Sequence, residues 1–591
     1  MKKIFIAGAT CLLMASCGNN NNQSNTKAEA MQSDDSLFDA FKQNFVEDLW
    51  KMYPSWASSQ GYHKYDSLLV VPNDESRARE MAFCKGTSAM LKTLNLSKLS
   101  DNNKTDYYMI ENQINSTEWV INNFKSYEWN PSQYNVCGEF AEMLGNNYDS
   151  LDTRLHNFYL KMQNIPAYYD AAKKQIKNPT VEHTKLAIDQ NLGGASVFET
   201  DLNDALKKSH LDAKEKEQIT ARAKEAMVAI KDFAAWLKAF KNETPRSFRL
   251  GKELYAKKFE YDIQSGYTAD EIYQKAIQHK AELHQQMFDI TKQLWNKYLS
   301  DKKMPENKLE TIKMMIDKLS LHHVKTDSFQ TAIEHQIPLL VDFIKKKDLI
   351  YIDPSKPLVV RKEPAYMAGV AGASISAPGP YDKNGNTYYN VGSLSGWDKE
   401  KAESYLREYN HYILQILNIH EAIPGHYTQL VYANQSPSII KSIFGNGAMI
   451  EGWAVYTERM MLENGYGNNE PEMWLMYYKW NLRTTCNTIL DYGVHVNNLS
   501  KDSALNLLIN EAFQQKAESE GKWKRVSVTQ VQLCSYFTGY TEIYDFREEL
   551  KKKMGDKFNL KQFHEKFLSY GSAPVKYIKT LMLADLDKEK K

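Results

Sequence analysis

The segment His420-Glu421-Ala422-Ile423-Pro424-Gly425-His426 sets two imidazoles and a carboxylate close together in the chain. Neutral imidazole nitrogens and carboxylate oxygens are donors that zinc takes, and a carboxylate beside such a site can act as general base. In the HExxH arrangement the two histidines stand four residues apart on one helix face, so both reach one metal. Here they stand six apart. On a regular helix that is about 600° of rotation and roughly 9 Å of rise, which turns the second ring to another face. The intervening residues offer a remedy. Pro424 lacks an N–H and would clash with the carbonyl of His420, and Gly425 tolerates unusual backbone angles. Two residues pushed out as a bulge would restore the facing. The segment therefore predicts a distorted helix on which His420 and His426 converge. The competing reading is a pair of core or capping histidines.

A catalytic zinc usually has three protein ligands and an open position for water. Glu451 is the natural third. It opens Glu451-Gly452-Trp453-Ala454-Val455-Tyr456-Thr457-Glu458, a helical stretch with Glu451, Val455 and Glu458 on one face. Glu458, two turns on, is either an acceptor for a ligand histidine or a solvated surface charge. His279/His284 and His322/His323/His335 have no such carboxylate pattern and read as surface or packing residues.

HEAIPGHYTQ followed by EGWAVYTE resembles the bacterial family called domain of unknown function 885, which is grouped with gluzincin-type metallopeptidases. The resemblance covers the chain from about residue 36 to the C-terminus, most specifically 364–550. It implies an α-rich metallopeptidase-like fold and one Zn2+ per chain, held by His420, His426 and Glu451 with Glu421 as general base. LDYGVH resembles the family's D-x-G-x-H element, giving Asp491, Gly493 and His495, with Asn487 where many relatives have Arg. QLCSYFTGY resembles its Q-x-x-x-Y-x-x-G element, giving Gln532, Tyr536 and Gly539. The expected chemistry is peptide hydrolysis: zinc activates water and polarises the scissile carbonyl, and Glu421 carries the proton to the leaving amine. His495 and Tyr536 are candidate oxyanion donors. Arg483 and Arg547 are candidates to grip a peptide carboxylate, with structural ion pairs as the alternative. The run from Tyr388 to Val391 is a candidate strand edge for an extended peptide. Two other functions compete: a zinc amidase acting on non-peptide or cell-wall amides, and a non-catalytic lipoprotein that binds peptides or glycans.

The elements that must position these residues are mainly helical. Residues 211–240 place Ile219, Ala223, Met227, Ile230, Phe233 and Trp236 on one face, and residues 270–299 do the same with Ile272, Ile277, Leu283, Met287, Ile290 and Leu294. Near Lys347 the texture changes. DLIYI reads as a short strand, 364–380 is rich in Gly, Ala, Ser and Pro, and GNTYYNVGSL is β-favouring. Asp398 is a credible N-cap for one helix running through KEKAESYLREYNHYILQILNIHEA, with Tyr409, Ile413, Ile416 and His420 on one stripe. The expected fold is mainly α, large and metallopeptidase-like, with a small β-sheet beside the active-site helix. A helical front half (36–346) and a catalytic back half (347–591) are expected, together forming one family-level domain.

At 591 residues, 42% hydrophobic and 12% aromatic, the chain can bury a large core, which excludes wholesale disorder. Basic and acidic residues nearly cancel, 74 against 73, so no electrostatic footprint for nucleic acid is present. The first seventeen residues have a basic start, a short apolar run and the lipobox-like ending Met14-Ala15-Ser16-Cys17. They predict a signal peptide with lipidation at Cys17, a flexible tether over 18–35, and an exported protein anchored to a bacterial membrane. Gly18 after Cys17 favours the periplasmic side of an outer membrane. Cys84, Cys137, Cys486 and Cys534 form either two disulfides or buried free thiols.

Overall fold

A computed structural model describes residues 33–363, 373–382 and 385–589; the lipobox, Cys17 and most of the tether lie outside them. Among the described residues the protein is mainly helical with one three-stranded sheet, and no helix is long and apolar enough to cross a membrane.

Helix α1 (Asp34–Met52), capped by Ser33, buries Phe38, Phe45, Leu49 and Trp50. Helix α2 (Val181–Gly194) and helix α3 (Ala213–Ala239) belong to a satellite cluster built from Leu69 and residues within 134–237. On α3 the expected stripe packs inward: Ile219, Ala223, Ile230 and Phe233 are buried, while Met227 and Trp236 line the rim of the cluster. Asp212 and Glu215 form a capping box at its start, and Thr268 and Glu271 do the same for helix α4 (Ala269–Tyr298). The main cluster reaches from Phe38 to Met582 and runs straight across residue 347. A buried ion group ties the front of the chain to its back half: Asp106 takes Lys42 Nζ at 2.8 Å and also pairs with Lys441.

DLIYI is not a strand. Leu349 and Ile350 are buried, but the Leu349 carbonyl is taken by His564 Nδ1 at 2.8 Å and the Tyr351 N–H by Glu565 at 3.0 Å. With its backbone groups satisfied by side chains, the segment has no ladder to join. The sheet consists of β1 (Leu358–Lys362), β2 (Ala373–Ser376) and β3 (Thr387–Val391), in the order β1-β3-β2. β1 runs parallel to β3, with Val360 opposite Tyr389, and β2 runs antiparallel, with Ile375 opposite Tyr389. This corrects the strand-edge expectation for Tyr388–Val391. β3 is the central strand, and both of its edges are already paired.

The single helix expected from Lys399 to Ala422 is two, α5 (Lys399–Glu408) and α6 (His411–Glu421). Asn410 makes the break, its side chain accepting the N–H groups of Tyr412 and Ile413 at 3.1 and 3.3 Å. Asparagine favours that capping role over a helix interior, and the continuous apolar stripe hid it. The Tyr389 hydroxyl donates to Asn418 on α6 at 2.8 Å, so the sheet sits directly beside this helix. The remaining site elements are α7 (His426–Asn434), α8 (Gly447–Glu463), α9 (Pro471–His495), α10 (Lys516–Val528) and α11 (Ser535–Met554). The cysteines Cys84, Cys137, Cys486 and Cys534 are buried free thiols.

Candidate metal centre

Helix α6 buries Ile413 and Ile416 and carries the same stripe on to His420 in its last turn. The chain beyond it is not a bulge. α6 ends at Glu421, the Ile423–Pro424 peptide is cis, and α7 starts afresh at His426. Gly425 packs so closely on the end of α6 that a Cβ there would lie 1.8 Å from the His420 carbonyl oxygen. Only glycine fits. The break brings the two rings together, with centroids 4.8 Å apart and planes at 87°.

Glu451 comes from α8, whose N-terminus is capped by Asn446 accepting the Met449 N–H at 2.8 Å. Its Oε2 lies 3.3 Å from His426 Nε2 and 3.8 Å from His420 Nε2, and the three ligand atoms fall within 4.8 Å of one another. Zinc bonds of about 2.0–2.2 Å in a tetrahedron hold ligand atoms about 3.3 Å apart, so this donor set fits the ion with small adjustments. Side-chain exposure rises from 8% at His420 through 13% at His426 to 20% at Glu451, which places the opening on the glutamate side.

Glu458, two turns along α8, is fully buried. Its Oε1 accepts His420 Nδ1–H at 2.7 Å and the Trp480 indole N–H at 2.9 Å. That fixes the tautomer leaving His420 Nε2 free toward Glu451. Burial pushes His420 down to about 3, with the His426 charge adding to it, so the ring is neutral, as a ligand must be. Burial also opposes charge on Glu451, but the hydrogen bond and charge of His426, with the Tyr536 hydroxyl, hold it below the usual carboxylate range. Glu421 extends from the end of α6, and burial pushes its carboxyl up to about 7.

Two close-packed glycines bring Tyr536 to this centre. A Cβ on Gly452 would lie 2.4 Å from Gly539 Cα, and one on Gly539 would lie 1.7 Å from the Ala448 carbonyl oxygen. Helices α8 and α11 therefore cross in backbone contact, which sets Tyr536, one turn before Gly539, against Glu451. Asp491 acts at one remove. Buried, it accepts the N–H groups of Val531 and Leu533 at 3.0 and 3.2 Å and the Tyr255 hydroxyl at 3.0 Å, fixing the turn that leads to Tyr536.

Other expected site residues are placed elsewhere. His495 donates Nε2–H to the carbonyls of Val526 and Thr529, and stands about 22 Å along α9 from Trp480. Its packing role corrects the oxyanion assignment. Arg547 lies on the far side of α8, with Nη1 2.8 Å from Glu463 and Nη2 2.7 Å from Glu548. Its single charge is already matched by two carboxylates, which corrects its expected role as a grip on the substrate. Arg483 pairs with Glu518 and stacks 4.7 Å from the Trp480 ring, close enough to Glu421 for its charge to be felt there. Tyr388 packs under the Arg361 guanidinium at 3.8 Å. Trp480 and Arg525 escaped the sequence reading. Trp480 lies on a helix buried on nearly every side and Arg525 is exposed on α10, and only the fold shows what each faces.

Residues 54–582 match the family described as bacterial protein of unknown function (DUF885). A solved structure described as a "putative lipoprotein of unknown function from Shewanella oneidensis" is 54% identical, with a TM-score of 0.84 over 92% of this chain and 99% of that one. Another, the "putative lipoprotein from Colwellia psychrerythraea", has a TM-score of 0.76 over 94% of this chain and 100% of that one. At 16% identity it is alike in fold alone. No functionally curated protein matches the chain. The helix break after Glu421 and the glycine crossing of α8 on α11 both lie within the matched stretch, and the protein belongs to the bacterial DUF885 family.

Proposed function

We propose that the protein is a zinc-dependent hydrolase, a peptidase acting on extracytoplasmic peptides. The observation that carries this reading is the convergence of His420, His426 and Glu451 from three separate helices, with Glu421 adjoining and Glu458 buried behind. When bound, zinc supplies an activated water and a polarised carbonyl. The protein's own groups do the rest. Glu421 takes the water proton and delivers it to the leaving amine, and its raised proton affinity suits a group that must both accept and release. Tyr536 offers a hydroxyl from the open, glutamate side as oxyanion donor. Glu458 and Trp480 hold the His420 ring in place. Export and lipid anchoring at Cys17, at the periplasmic face of an outer membrane, complete the proposal; the two relatives described as lipoproteins support the anchoring.

Elemental analysis of the purified protein is expected to give one zinc per chain, lost in Glu451→Ala. Cleavage of a mixed peptide library is expected to be sensitive to chelator. Zinc without peptide cleavage would move the reading to another amide. Absence of bound metal, even after zinc is supplied, would overturn it.

A further inference from the structure

Arg525 stands beside the centre with its charge unmatched. It is exposed on α10, and its Nη2 donates to Gln532 Oε1 at 2.6 Å and to the Tyr536 hydroxyl at 3.3 Å. Both partners are neutral, so they orient the guanidinium without cancelling its charge. Among the described residues no carboxylate pairs with it, and Glu518 on the same helix is taken by Arg483. The contrast with Arg483 and Arg547, both held by carboxylates, singles out this arginine as able to receive an anion.

Its position limits which anion. The α8–α11 glycine crossing sets Tyr536 against Glu451, and Arg525 adjoins the same hydroxyl. In a peptide, three bonds separate the last scissile carbonyl carbon from the terminal carboxylate carbon, a span under about 4 Å. A guanidinium–carboxylate hydrogen bond adds about 2.8 Å. The Tyr536 hydroxyl touches both Glu451 and Arg525; two successive hydrogen bonds of about 3 Å each cover a similar span, so one residue fits between the centre and Arg525. We propose that Arg525 receives the free α-carboxylate of a peptide C-terminus, so that the enzyme removes C-terminal residues one at a time. The cut rests on the hydrolase reading above; the carboxylate site does not. In the cut, the water oxygen bonds to the carbonyl carbon, the C–N bond breaks, and the water proton passes through Glu421 to the departing amino acid.

The test pairs N-acetylated peptides that differ only in a free or amidated C-terminus, on zinc-loaded protein. The free acid is expected to have a kcat/KM at least tenfold higher. Arg525→Gln is expected to bring that ratio toward one, mainly by raising KM for the acid, and Arg525→Lys to restore part of it. Calorimetric binding of an acetylated dipeptide acid and its amide to chelated wild type and Arg525→Gln reads the same preference without turnover. Equal cleavage of acid and amide would overturn the proposal and leave the hydrolase reading standing. If no peptide is cut, the peptidase reading fails and the binding pair decides: a preference for the acid that is lost in Arg525→Gln supports the site, and equal binding overturns it.

Discussion

The His420 ring is held from both sides, Glu458 taking Nδ1 and Glu451 facing Nε2, and the two carboxylates differ in what their loss would do. Glu458 is buried and touches only protein. Glu458→Ala leaves the His420 Nδ1–H and the Trp480 N–H without an acceptor. Zinc affinity is expected to drop by roughly 10–100-fold, read by competition with a chelator of known strength, with the metal still bound at saturation. Glu451→Ala, by contrast, is expected to abolish binding. At this scale the sequence was informative where neighbours in sequence are neighbours in space. His420, Glu421 and His426 flank one short helix break, and Glu451 and Glu458 share one helix face. It misled where a side chain's partner is remote. The carbonyls that take His495 lie at 526 and 529, so nothing local marked that residue as engaged. Of the two acids that match Arg547, only Glu548 is near in sequence, while Glu463 is remote.

Between elements, approach distance decides the site. Helices α8 and α11 meet at Gly452 and Gly539 with no room for a methyl group on either. Gly539→Ala puts a Cβ into the Ala448 carbonyl, and the helices must part. The expected cost is about 1–3 kcal/mol of stability, measured by denaturant unfolding, together with weaker zinc binding as Glu451 is displaced. The long helices α3 and α4 could be read from their apolar stripes because burial on one face imposes its period on the sequence. Boundaries set by a single polar atom could not. Asn410 breaks a stripe that continues unchanged on both sides of it, and a β-favouring run such as Thr387–Val391 announces a strand but not its place in the sheet. Place depends on which segments pair with it, and those lie up to about thirty residues away in the chain.

Across the whole molecule, buried histidines couple folding to pH. His183 on α2 bridges the satellite to α10, accepting the Thr180 hydroxyl on Nδ1 and donating Nε2–H to the Val528 carbonyl at 3.1 Å. Burial holds both His183 and His564 down at about 4. In the unfolded chain a histidine titrates near 6.5. As pH falls below that value, the unfolded state takes up protons that the native state refuses, so stability falls. Below about 4 the native state accepts them too, and this slope ends. Denaturant midpoints are expected to show a smaller loss of stability between pH 6.5 and 4 in His183→Gln than in the wild type. The extent of the core was foreseen from composition, but its connectivity was not, because hydrophobic content says how much is buried and not which ends meet. That connectivity bears on synthesis. The satellite draws almost wholly on residues 134–237 and is complete once they emerge, whereas the main cluster needs both Phe38 and Met582. At about 5–20 residues per second, Phe45 on α1, which packs on Phe83 early, waits roughly twenty to eighty seconds for Phe444. The first helix made meets its near neighbours at once and its far one only after the satellite is complete.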